Sequence, residues 1–213
     1  MSAEWLIPEH SLTPEQQRAV TFSPYKPRVV FGPPGSGKTI ILVYRAKYLQ
    51  KNYQIKENRY LILAFTNALK EYIQSGLRDF DMDPARVLTF DKWCKTFHEQ
   101  HIGTPPRSKG SADPEATRQA VHAHLTQTSN QEKLFDAILV DEGQDLDRIS
   151  FEILTRISEH VTVLIDHKQQ IYSSGSNERE ILNTFGLRRI NMALLEGFRC
   201  SPAIAEIAAS FVI

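Results

Sequence analysis

The chain has 213 residues, 41% hydrophobic and 23% charged, which is enough apolar material to bury one sizeable core. Lys plus Arg equals Asp plus Glu at 25 each, so the molecule as a whole is no strongly basic nucleic-acid binder, and only a local basic groove stays open. No apolar run approaches the ~20 residues of a membrane span, and MSAEWLIPEH lacks the basic-then-apolar order of a signal peptide. Cys94 and Cys200 lie far apart without a pairing pattern, so a reducing, cytoplasmic setting is expected.

In chain order, short β-rich apolar runs alternate with longer helical patterns. LTPEQQ (12–17) holds a capping box, Thr13 at N-cap with Gln16 three residues on, so it opens a helix. A strand is predicted at 28–31 (RVVF), then a helix over TIILVYRAKYLQ. YLILAF (60–65) and RVLTF (86–90) are strands, followed by the helices NALKEYIQSGL and DKWCKTFHEQ. IGTPPRSKGSADPE (102–115) reads as a loop, and residues 98–135 as a small, mostly helical insertion containing PEATRQAVHAHLTQ. Strands follow at 137–141 (AILVD), 161–166 (VTVLID) and 190–195 (INMALL), with the helix ISFEILTRISEH between the first two. The strands are continuous apolar runs, as expected when both faces are covered. The alternation predicts an α/β fold of three layers around a mostly parallel sheet.

Between the first strand and its helix stands GPPGSGKT (32–39), which satisfies G-x-x-x-x-G-K-[ST] in full. Gly32, Gly35, Ser36 and Gly37 form a loop whose N–H groups converge on phosphate oxygens, and the helix N-terminus adds partial positive charge. Lys38 is expected to reach the β- and γ-phosphates of ATP, and Thr39 to offer its hydroxyl to Mg²⁺. The strand AILVD ends in DEGQD (141–145). Asp141 suits a Mg²⁺ ligand opposite that loop, and Glu142 a base that deprotonates the attacking water.

These segments resemble the UvrD/Rep-like group of superfamily 1 DNA helicases, and further stretches follow in that family's order. LTPEQQRAV resembles its N-terminal glutamine motif, which implies that Gln16 reads the adenine edge. LAFTNALKEY (63–72) resembles the segment that grips single-stranded DNA, with Thr66 and Asn67 near the backbone. VLTFDKW (87–93) resembles the next strand-binding motif and places Phe90 against a base. VLIDHKQQIY (163–172) resembles the motif that couples nucleotide to nucleic acid, with Gln169 as γ-phosphate sensor and Tyr172 on the DNA side. LLEGFRCSPAI (194–204) resembles the aromatic-Arg-Ser motif, implying that Phe198 stacks on adenine and Arg199 contacts the γ-phosphate.

Plainer readings stand beside these. Gln16 is also a helix cap, Thr66 and Asn67 are good capping types, Phe90 suits a core, and Gln169 and Arg199 suit a polar surface. Cys94, His98 and His101 share a helix face, which suits either a polar face or, less well, zinc.

The family's aromatic and arginine after the Tyr172 position are Ser173, Ser174 and Gly175 here, and its glycine before the aspartate is Ile165. The resemblance implies that residues 1–213 are a single RecA-like ATP-binding lobe, with 196–213 approaching a second lobe carried in cis or in trans. One lobe alone is expected to turn over weakly, because an arginine from a second element is worth ~10³–10⁵ in rate. The alternative is a stand-alone nucleotide-dependent switch acting through a protein partner.

Overall fold

The computed structural model describes residues 5–108, 110–128, 132–166 and 178–194. Helix α1 (Pro14–Val20) leads to β1 (Arg28–Phe31) and α2 (Lys38–Tyr53), then β2 (Tyr60–Ala64), α3 (Asn67–Arg78), β3 (Val87–Thr89) and α4 (Phe90–His101). A two-residue antiparallel hairpin, β4 (Arg107–Ser108) with β5 (Ser111–Ala112), precedes α5 (Pro114–Gln127). The order closes with β6 (Ala137–Val140), α6 (Arg148–Ile157), β7 (Val161–Ile165), α7 (Glu178–Thr184) and β8 (Met192–Ala193).

Six strands form one sheet in the order β3-β2-β6-β7-β1-β8, and its pairs are parallel throughout. Successive side chains in a strand face opposite ways, and here they feed two cores. Val29, Leu61, Leu63, Ile138, Val140 and Val163 join α4–α7 on one face. Val30, Tyr60, Ile62, Leu139 and Leu164 join α1–α3 on the other. The expected three-layer α/β architecture is therefore present, and continuous apolar runs are what strands covered on both faces require.

Local signals set the element ends. Thr13 caps α1 in a complete capping box, Thr66 caps α3, Thr89 caps α4, and Asp113 caps α5 ahead of Pro114. Some element boundaries differ from the sequence reading. The stretch 102–115 holds the small hairpin; α6 stops at Ile157, where Ser158 leaves helical geometry; and the last strand is only two residues long. Val121 and Leu125 of α5 enter the same core as the sheet. Among the described residues no helix is long and apolar enough to cross a membrane.

A buried arginine fixes α1 to the rest. Arg45 of α2 is 0% exposed. Its Nη1 donates to the carbonyls of Ala19, Val20 and Phe22 at 3.3, 2.9 and 2.9 Å, where α1 ends and its dipole is negative. Its Nε donates to Thr162 Oγ1 at 2.8 Å, and its Nη2 lies 2.8 Å from His160 Nε2. His160 Nδ1 faces the Lys26 carbonyl at 2.9 Å, which can only accept, so Nδ1 carries the proton and Nε2 accepts from Arg45. Burial, then the Arg45 charge, pushes His160 down to about 3; burial, then Arg28, pushes Arg45 down to about 9.

Candidate nucleotide site

The carboxyl ends of the parallel strands gather the chemistry, as expected for an open α/β sheet. The loop after β1 turns into α2 through Gly37, whose φ of 81° is left-handed and whose face meets Gln16. A Cβ at Gly37 would stand 2.6 Å from Gln16 Nε2, so this position admits only glycine comfortably. Gln16, 3% exposed, donates from Nε2 to the Ser36 carbonyl at 3.0 Å and accepts from the Thr13 N–H at 2.9 Å. It is therefore both a helix cap and a brace against the phosphate loop. The first N–H groups of α2 have no partner within the helix and face outward from its positive end.

Lys38 is buried, and its ammonium has three acceptors: the carbonyls of Gly32 and Pro33 at 3.0 and 3.1 Å, and Asp166 Oδ2 at 3.2 Å. Asp166 follows β7. Its own N–H donates to Gln144 Oε1 at 3.0 Å, and Gln144 Nε2 donates to Glu142 Oε2 at 2.7 Å. The Glu142 N–H reaches Asp141 Oδ1 at 3.1 Å, and Thr39 Oγ1 donates to Asp141 Oδ2 at 2.8 Å. Since Thr39 is bonded to Lys38, the six residues Lys38, Asp166, Gln144, Glu142, Asp141 and Thr39 close a circuit. It stitches the ends of β1, β6 and β7 together.

Asp141 is 2% exposed, and its carboxyl is pushed up to about 6 by burial and then by the Glu142 charge, against the pull of Thr39 and Lys38. A group raised by desolvation gains most from a cation placed beside it. Glu142 has a φ of 52°, a conformation non-glycine residues seldom hold, and such outliers concentrate at functional sites. Thr39 and Asp141 are the hard oxygen donors Mg²⁺ takes alongside phosphate oxygens, and Ser36 Oγ is buried without a hydrogen-bond partner among the described residues. The residues present fit a Mg²⁺–nucleotide. The adjoining pocket, about 480 Å³, is of ligand size.

Of the residues singled out in the sequence, Gln16, Gly32, Gly35, Ser36, Gly37, Lys38, Thr39, Asp141 and Glu142 come together here. Gln169, Tyr172, Phe198 and Arg199 lie outside the described residues. Thr66 and Asn67 are exposed beyond β2, where Thr66 accepts from the Leu69 N–H and Asn67 from Lys70. Phe90 is a correction. It is the first residue of α4 rather than a strand end, it is 5% exposed, and its ring stacks on Trp93. Thr89 starts the helix at once and turns the ring into the core, so little of it is left for a base. Cys94 is likewise core, its thiol pushed up by burial, and His98 Nδ1 lies 3.0 Å from the Gly103 carbonyl at the end of α4. Gln144 and Asp166 were given no role from sequence. Their signal was there, an amide inside DEGQD and an acid closing a second apolar strand, VTVLID.

A second cleft lies beyond β2, β3 and β6, lined by Phe65, Phe90, Asp91, Arg118, Asp145 and Asp147 among others. Arg118 of α5 bridges Asp91 at 2.6 Å and Asp147 at 3.4 Å.

Comparison with known proteins places the family and the fold. A family model described as an AAA domain matches residues 16–175. The cell division cycle protein 48 homolog of Archaeoglobus fulgidus is 24% identical over 152 residues, 70% of this chain and 20% of that protein. The crystal structure of Pif1 helicase from Candida albicans superposes with a TM-score of 0.52 at 13% identity, covering 88% of this chain and 40% of that one. Pif1 helicase from Bacteroides in complex with ADP-AlF3 and ssDNA gives 0.49 at 15% identity, covering 93% and 46%. The chain thus spans a fifth of the curated relative and less than half of either helicase chain. At these identities the Candida structure shows a shared fold, the RecA-like P-loop lobe found in superfamily 1 helicases.

Proposed function

The chain belongs to the AAA domain family, and from that premise we propose that it binds and hydrolyses Mg²⁺–ATP as one lobe of a UvrD/Rep-like superfamily 1 DNA helicase or translocase. The observation that supports this most is the closed circuit from Lys38 through Asp166, Gln144, Glu142 and Asp141 to Thr39. It brings a cation for phosphate, a metal-type oxygen pair and a carboxylate base within one hydrogen-bonded frame.

In this reading the loop N–H groups and the start of α2 receive the phosphates. A γ-phosphate oxygen reaching Lys38 would join or replace its present acceptors, the carbonyls of Gly32 and Pro33 and the carboxylate of Asp166. Thr39 and Asp141 would hold Mg²⁺, which would supply positive charge to offset that of the phosphate oxygens. Glu142 takes the proton of the attacking water, and Gln144 keeps its carboxylate turned toward the site. Gln169, Phe198 and Arg199 act where a second RecA-like lobe, in cis or in trans, closes over the nucleotide. Thr66, Asn67 and Tyr172 belong to the surface for single-stranded DNA, in a cytoplasmic protein.

One observation favours a second reading. Among its described residues the cleft beyond β2 and β3 carries Asp91, Asp145 and Asp147 with one arginine, Arg118, a poor match for a phosphate backbone. A nucleotide-dependent switch that acts through a protein partner would use such a surface. Mg²⁺-dependent ATP turnover, measured with and without single-stranded DNA and with Glu142→Gln as blank, separates the two. Turnover or ATP affinity that responds to DNA supports the motor lobe. ATP binding indifferent to DNA supports the switch.

A further inference from the structure

The pocket that begins at Gly37, Lys38 and Thr39 does not end at the phosphates. Gln16 and two aromatic residues, Trp5 and Tyr72, line it as well. The two rings are stacked, centroids 3.9 Å apart and planes 23° from parallel, and both side chains are half-buried. Building from the nucleotide reading above, in which the family resemblance already assigns Gln16 to the edge of the base, we infer that this stacked pair is the platform that takes the nucleobase.

The pair is held in place from several sides. Trp5 Nε1 donates to Ser75 Oγ at 3.0 Å, and Ser75 Oγ donates to the Tyr72 carbonyl at 2.7 Å. Tyr72, Ser75 and Gly76 fall at i, i+3 and i+4 on one face of α3, so a single helical face receives the indole. Gly76 is what lets it close: a Cβ there would lie 2.8 Å from Trp5 Cζ2. The segment that brings Trp5 in is anchored at Ile7, whose carbonyl accepts from the Tyr44 hydroxyl at 2.6 Å. The aromatic surface is thus positioned before any ligand arrives, and such preorganisation lowers the cost of binding.

The chemistry of the ligand sorts along the pocket. Its anionic end belongs at the start of α2, where the charge and N–H groups are. Its flat, apolar base belongs on the rings, where base–aromatic stacking operates. Between them, each amide atom of Gln16 has one bond made and one left, because an amide nitrogen has two hydrogens and an amide oxygen two lone pairs. A remaining donor beside a remaining acceptor matches the N6–H and N7 edge of adenine. A base has two faces, so a second aromatic such as Phe198 on the other side does not compete with this platform.

The test uses two ligands, Mg²⁺–ATP and Mg²⁺–tripolyphosphate, titrated calorimetrically into the 213-residue chain and its variants. Trp5→Ala and Tyr72→Leu are expected to weaken ATP roughly tenfold, in line with stacking of ~1–3 kcal/mol per base. Tripolyphosphate, which has no base, is expected to keep its affinity in both, and Trp5→Phe to retain most of the ATP affinity. Equal loss for both ligands would mean the rings only support the fold; unchanged ATP affinity would mean the base lies elsewhere. Either result overturns the inference. If the unchanged chain binds neither ligand, the nucleotide reading itself falls and the platform with it.

Discussion

The two ends of the sheet's carboxyl edge are built differently. At the β1–β6–β7 end, the residues marked for chemistry hold one another: Lys38 to Asp166, Gln144 to Glu142, Thr39 to Asp141. At the β2–β3 end, the described residues marked for nucleic acid each have a part in the fold. Thr66 and Asn67 serve the first turn of α3, and Phe90 sits in the core beside Trp93. Phosphoryl chemistry would need fixed geometry, and there the motif residues are held by hydrogen bonds to one another and to the neighbouring strand ends. Holding a strand needs exposed surface, and threonine or asparagine at a helix start looks the same with or without a ligand.

The contrast can be broken most strongly at Glu142. Glu142→Gln is expected to lower turnover by ~10²–10⁴-fold with little change in ATP affinity, the signature of lost general base catalysis. Steady-state turnover alongside equilibrium ATP binding checks it, and retained turnover would detach the acid from the chemistry. Next in size, Phe90→Ala is expected to cost ~3–5 kcal/mol of stability in denaturant unfolding, as large core truncations do. A loss below about 1 kcal/mol, within the range of surface changes, would return Phe90 to the ligand side of the comparison.

The brace under α1 gives a pH dependence. His160 sits at about 3 in the fold against an ordinary 6.5, so below pH 6.5 the unfolded chain takes up a proton that the folded chain refuses. Its contribution is whole above pH 6.5 and is lost as pH falls toward 3, by about 2 kcal/mol at pH 5. Unfolding curves across that window should lose this slope in His160→Gln; an unchanged slope would place the acid sensitivity elsewhere. Smallest is Thr66→Ala, expected to cost ~1 kcal/mol through the lost cap. If single-strand affinity falls further than stability explains, Thr66 has a second role.

Much of the phosphate end was legible in the sequence because its signals are local. The spacing of GPPGSGKT, the strand before it and the helix after it lie within thirty residues, and the acid closing AILVD marks a strand end. Thr13 and Gln16 announced their capping box in the same way. What escaped was formed across the sheet. Gln144 meets Asp166 only because β6 and β7 are neighbours, and no spacing within either segment encodes that pairing. The Arg45–His160 brace and the Trp5–Tyr72 stack join residues 115 and 67 positions apart for the same reason. Phe90 stands at a boundary where one residue decides whether a strand continues or a helix begins, and the Thr89 cap makes it a helix.

Whether Lys38 and its circuit form a nucleotide site is tested by calorimetric titration of Mg²⁺–ATP into the unchanged chain and into Lys38→Ala. Measurable binding is expected for the first and at least a ~100-fold loss in the second, since truncating one partner of a buried charge contact costs ~2–5 kcal/mol. Equal affinity in the two proteins, or no binding by the unchanged chain, would contradict such a site.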